Sequence, residues 1–73
     1  MFAITLTNGN NRTVLYICDN KEKAIKKGDE LIQILSRDSG ILSCIQADFD
    51  DNNNIVNGRY RIYKSWLQYL HKI

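Results

Sequence analysis

The chain lacks proline altogether and has two cysteines, four glycines and a single histidine in 73 residues. With no proline, no repeat and no linker composition, nothing marks an internal boundary, so a single small domain over residues 1–73 is expected. Cys18 and Cys44 stand far apart, which excludes C-x-x-C and metal-ligand spacings. A secreted domain this small usually carries several disulfides; two thiols are therefore read as reduced, and the location expected is the cytoplasm. No signal peptide is read, because the chain takes a strand pattern from Phe2 with no basic segment and apolar stretch before it. The Asn11-Arg12-Thr13 sequon accordingly carries no weight. The longest apolar run, residues 14–18, is far short of the roughly 20 residues of a membrane helix, so no membrane partner is expected.

What is present is an ordinary globular composition, 44% hydrophobic and 25% charged, with a net charge of +2. That charge is too small to demand a polyanion, but it is unevenly placed. Residues 38–58 hold Asp38, Asp48, Asp50 and Asp51 with no Lys or Arg, whereas 59–73 hold Arg59, Arg61, Lys64 and Lys72 with no acid. Such an order suits two strands that pair charges across a hairpin.

Phe2, Ile4 and Leu6 alternate with Ala3, Thr5 and Thr7, the period of a half-buried strand. Asn8-Gly9-Asn10-Asn11 is a hairpin turn, because Asn and Gly tolerate positive φ. Residues 12–18 form the return strand. A turn centred on Gly9-Asn10 puts Leu15 opposite Ile4 and Ile17 opposite Phe2; centring on Asn8-Gly9 shifts the pairs and keeps the faces. A helix opens at Asp19 as N-cap, with Glu22 in the capping-box position. Ala24, Ile25, Gly28, Leu31, Ile32 and Leu35 make its apolar stripe. Gly28 costs about 1 kcal/mol against Ala there, so it is expected to permit close approach to the sheet. Arg37 suits the C-terminal dipole and Gly40 a left-handed stop.

Residues 41–50 alternate again, with Ile45, Ala47 and Phe49 assigned to the core side. A turn centred on Asn52-Asn53 aligns Phe49 with Val56 and Ile45 with Tyr60, and leaves Gly58 opposite Ala47 as a thin spot or bulge. Ser65-Trp66-Leu67-Gln68 fits a capping box, with Trp66, Tyr69, Leu70 and Ile73 at helical spacing. The expected order is β-β-α-β-β-α: an α+β fold with a four-stranded, largely antiparallel sheet, the long helix on one face and a short C-terminal helix.

The second sheet face is the expected interaction surface: Arg12, Val14, Tyr16, Leu42, Cys44, Arg59, Arg61 and Tyr63, with Lys64 and Trp66 beyond. It is too apolar for idle solvent surface and too charged for a second core. The terminal helix could cover it, a second copy could pack on it, or single-stranded nucleic acid could stack on Tyr16 and Tyr63 with its phosphates on Arg12, Arg59 and Arg61. Against nucleic acid stand the absence of an RNA-binding signature and the reach of Asp48 to Arg59.

Other chemistry reads poorly. Residues 48–55 resemble a calcium loop, but Asn53 replaces the required glycine and Arg59 the bidentate acid, so no metal is expected. The only histidine, His71, lies two residues from the end, where fraying is expected, and no spacing supports its pairing with Cys18 or Cys44 as a catalytic base. Asp48, Asp50 and Asp51 sit at a hairpin tip, where nothing raises a pKa. No glycine-rich phosphate loop occurs, so no cofactor and no small-molecule ligand is inferred. Lys21, Lys23, Lys26 and Lys27 read as a solvated helix face. The expectation is a non-catalytic interaction or assembly module, a homodimer joined through the open sheet face or an edge strand, with nucleic-acid binding as the alternative.

Overall fold

The computed structural model describes residues 1–35 and 40–66. Strand β1 (Phe2–Asn8) and strand β2 (Asn11–Cys18) precede helix α1 (Lys21–Ile34); strands β3 (Ile41–Phe49) and β4 (Ile55–Trp66) follow. They form one α+β unit whose four strands are all antiparallel, in the order β2-β1-β3-β4. The two hairpins therefore meet along β1 and β3, and β2 and β4 are the sheet's edges. No helix among the described residues is long and apolar enough to cross a membrane.

The first hairpin settles which turn the asparagine-rich loop adopts. Asn8 pairs with Asn11, so Gly9-Asn10 are the central residues, and Gly9 takes a φ of 62° as a type II′ turn requires of its first position. The expected register then holds only as far as Thr5–Val14. A bulge follows: Ile4 pairs with Tyr16 rather than Leu15, Ala3 with Ile17 and Phe2 with Cys18. One extra residue reverses the facing of everything beyond it. Tyr16 and Cys18 consequently join Ile4 beneath the helix, Ile17 turns to the other face, and Leu15 is left 40% exposed.

Helix α1 begins one residue later than its acidic signal suggested. Asn20, not Asp19, is the N-cap, its Oδ1 accepting from the backbone N–H of Glu22 at 2.8 Å and of Lys23 at 3.2 Å. Both satisfy donors the first turn would otherwise leave free. The apolar stripe faces the sheet as its spacing required, with Ala24 and Gly28 fully buried and Ile25, Leu31, Ile32 and Leu35 packed around them. Leu35 caps the C-terminal end. Gly40 does have a positive φ, 123°, but not as a helix stop: a methyl there would strike the backbone of Thr7. The expected role of Arg37 lies outside the described residues.

In the second hairpin, Asp50 shapes the turn. Its Oδ1 accepts from the N–H groups of both Asn52 and Asn54 at 2.9 Å, and Asn53 is left-handed with a φ of 62°. Phe49 pairs with Ile55 rather than Val56, and Ile45 with Ile62 rather than Tyr60. The difference arises at Gly58. Between the pairs Phe49–Ile55 and Ala47–Tyr60, β4 places residues 56–59 against Asp48 alone, and Asn57 and Gly58 both have positive φ, 59° and 64°. The bulge expected there is therefore several residues wide.

The sheet is apolar on both faces. Beneath α1 lie Ile4, Leu42, Cys44 and Trp66 with Ala24. On the far face lie Ala3, Ile45 and Ala47, covered by Phe49 and Ile55 packing with Val14 and Ile17. Ile45, Ala47 and Phe49 are thus on the face away from the helix, and Leu42 and Cys44 on the face under it, the reverse of their expected placement. The register Ile4–Cys44 and Leu6–Leu42 between β1 and β3 decides this, and that pairing of distant strands carries no local signal. Ser65 and Trp66, expected to start a terminal helix, instead continue β4; residues 67–73 of that expected helix lie outside the described residues.

Candidate interaction surface

The residues expected to share one surface divide between three places. Leu42, Cys44 and Trp66 are buried under α1, with Tyr16 beside them and Lys27 Nζ 5.6 Å from its ring. The first three are core, and Tyr16 packs half-buried against them. Arg12 and Val14 belong to the far face by their pairing with Thr7 and Thr5. Arg59, Arg61, Tyr63 and Lys64 lie on β4, all exposed.

Trp66 shows why β4 extends so far. Its indole fills the space that a side chain at Gly28 would occupy, and its Nε1 donates to Asp29 Oδ1 at 2.8 Å. The same oxygen meets Lys64 Nζ at 3.6 Å. The close approach expected of Gly28 is therefore made to one ring, that of Trp66. Asp29 was not singled out by its sequence context, and nothing in the helix pattern distinguishes it from Glu30.

On the far face, Arg12 of one edge strand reaches Tyr60 of the other. Its Nη2 donates to the Tyr60 hydroxyl at 2.7 Å, and its Cζ lies 4.2 Å from the ring centroid. A flat sheet would hold these edges apart by two intervening strands; the contact requires a strong curl, consistent with β-sheet twist. Tyr63 is held on the helix side: its hydroxyl donates to Gln46 Oε1 at 2.8 Å, its ring lies 5.8 Å from that of Phe2, and Arg61 Cζ is 5.3 Å away. The aromatic rings that alternate with cations in the sequence are thus largely occupied within the chain.

Arg59 is different. The expected pair with Asp48 does not form, since the ion pairs among the described residues are Lys27–Glu30 and Lys64–Asp29. Arg59, Arg61, Tyr60 and Gln46 instead line a shallow depression of about 360 Å³ that also includes Asp48.

Two thiols remain. Burial, with a smaller contribution from Cys18, raises the Cys44 thiol above its ordinary 9.0, opposed by Lys21. Cys18 Sγ donates to the Asn20 carbonyl at 3.1 Å. Among the described residues no group of three or more His, Cys, Asp or Glu side chains could hold a metal ion; His71 lies outside them.

Sequence reading allowed an edge strand as the surface but did not give the strand order; the structure makes β4 one of the two edges. Val56, Tyr60, Ile62 and Tyr63 are exposed along it, Ile62 by 53%. Its hydrogen-bonding direction follows from one contact: Ala47 N–H donates to the Met1 carbonyl at 3.1 Å, so the backbone of Ala47 faces away from β4. By alternation Gln46 faces β4, its partner Arg61 faces back, and Tyr60 and Ile62 turn their N–H and C=O groups outward. Comparison with family models, curated proteins and solved structures returns no match.

Proposed function

We propose that this chain is a non-catalytic interaction module that works as a homodimer. The observation that carries the proposal is the concentration of exposed large apolar side chains on one edge strand, β4, which pairs with β3 on one side only. Isolated exposed hydrophobics need no explanation, but a long open strand edge bearing several is a template for pairing. Core size supports the same reading. Of the buried apolar residues, Ala3, Ala24 and Ala47 contribute only methyl groups, and a domain of this length gains from burying more surface in a partner.

A second reading has one observation in its favour. Arg59 and Arg61 carry no carboxylate partner among the described residues and border the same depression as Tyr60, so a single-stranded nucleic acid could place a phosphate there. Light scattering at micromolar concentration, with and without a single-stranded oligonucleotide, separates the two. The dimer reading expects twice the chain mass without oligonucleotide. A monomer that gains mass only with oligonucleotide, and loses it as salt rises, would favour the second reading.

A further inference from the structure

We infer that the partner is a second copy of this chain, joined β4 to β4 in antiparallel register about Ile62, so that two four-stranded sheets become one continuous sheet. The inference rests on the assembly reading above and adds to it the edge, the register and the symmetry.

The outward backbone groups of Ile62 supply the first argument. A residue opposite its own copy in an antiparallel pair can exchange both N–H···O=C bonds with it, provided those groups point outward, as those of Ile62 do. Such a contact is isologous and closes at two copies.

Charge selects the register. Edge cations normally discourage strand pairing, and here they eliminate the neighbouring alternatives. A two-fold axis through the sheet must place like-facing side chains opposite each other, so the axis passes through a residue. Centred on Arg61, it sets Arg61 against Arg61; centred on Tyr60, it sets Arg59 against Arg61. Both place like charges directly opposite, which destabilises a pair. Centred on Tyr63, the axis falls on the extra residue at the register shift between the pairs Ile45–Ile62 and Cys44–Lys64, whereas Ile62 ends the regularly paired stretch 60–62. Centred on Ile62, the most exposed apolar side chain of the strand meets its own copy, and each Arg61 faces the other copy's Tyr63. Arg61 already lies over the Tyr63 ring within one chain, so the same cation–π pairing serves across the seam. Lys64 is drawn to Asp29 and stays off it.

Ile62 faces the same side as Ile45, so the two isoleucines would extend the far-face cluster across the junction. The other edge lacks this combination: the exposed apolar residue of β2, Leu15, lies at its bulge, and its Arg12 is committed to Tyr60.

The test uses the full chain and four variants, each checked for folding by circular dichroism. Ile62→Lys should halve the mass at micromolar concentration, because it sets lysine against lysine, while Ile34→Lys, at a helix position 77% exposed, should leave the dimer intact. Under mild oxidation Ile62→Cys should form a covalent dimer, and Ser65→Cys, which does not face itself in this register, should not. A wild-type dimer that persists in Ile62→Lys, or that cross-links through 65 as readily as through 62, overturns the inference and leaves the assembly reading standing. A wild-type chain that is monomeric overturns both.

Discussion

The two faces of the sheet are closed by different means. Under α1, a single large ring does much of the sealing: Trp66 seats against Gly28, is oriented by its bond to Asp29, and shields Leu42 and Cys44. On the far face there is no helix. Small residues, Ala3 and Ala47, line the sheet, and the cover is the sheet itself, whose β3–β4 hairpin folds Phe49 and Ile55 toward Val14 and Ile17. The Arg12–Tyr60 contact joins the two edges, yet Ile62 beyond it stays open. A helix can cover a face completely because it is a separate element, whereas a curled sheet covers only as far as its curvature carries it. The uncovered remainder falls on β4, where the proposed partner binds.

The sharpest way to break this contrast is at Trp66. Trp66→Ala should cost about 3–5 kcal/mol. A domain of this size rarely holds more than about 3–5 kcal/mol in its core, so the variant should be largely unfolded at 25 °C by circular dichroism. Gly28→Ala gives the complementary measurement. In the native background its methyl collides with the indole, and urea titration should show destabilisation of about 1–3 kcal/mol. Combined with a Trp66→Leu change that opens the slot, the same alanine should be neutral or stabilising, since it removes the helical glycine penalty of about 1 kcal/mol. If Gly28→Ala costs the same in both backgrounds, the slot does not exist.

On the far face, Ile45→Ala should cost about 2–4 kcal/mol by urea unfolding, less than the tryptophan change because its neighbours are small and can settle into the space. A loss equal to that of Trp66→Ala would show that the two faces are equally close-packed.

The smallest effect is one of pH. The folded state holds Cys44 above its ordinary pKa, chiefly through burial, so between the unfolded and folded values the unfolded chain binds fewer protons. Stability should therefore fall as pH rises past about 9, by at most about 1.4 kcal/mol per unit from this group. Unfolding midpoints of the wild type and Cys44→Ala, compared from pH 8 to 10, should show the extra slope in the wild type only. Cys18, on the helix side but half-buried, should react with a thiol reagent in the native state, while Cys44 should react only on unfolding.

Much of the local structure was legible in the residues. The alternation of Phe2, Ile4 and Leu6, a turn within residues 8–11, the stripe from Ala24 to Leu35 and turn chemistry over residues 51–54 each follow from chemistry within a few neighbours; the centring on Gly9-Asn10 and the use of Asp50 as the turn's acceptor came from the structure. Facing was less legible. Leu15 and Tyr16 are both acceptable core residues, so nothing local announces the bulge that exchanges them. The candidate surface is the least legible part, because it depends on parity: Leu42, Cys44 and Trp66 are core once β3 pairs with β1.

By itself the sequence determined the four strand segments, the long helix and the places where the chain turns, though not that β4 runs on through Ser65 and Trp66, because these depend on periodicity and on backbone preferences that each residue carries with it. Only the tertiary structure decided which side of the sheet the helix covers and which strand stands at the edge. Those outcomes depend on the pairing of β1 with β3 across the intervening helix and on three register shifts, one in the first hairpin and two in the second, and when both faces of a strand are apolar, burial alone does not prefer one pairing parity over the other.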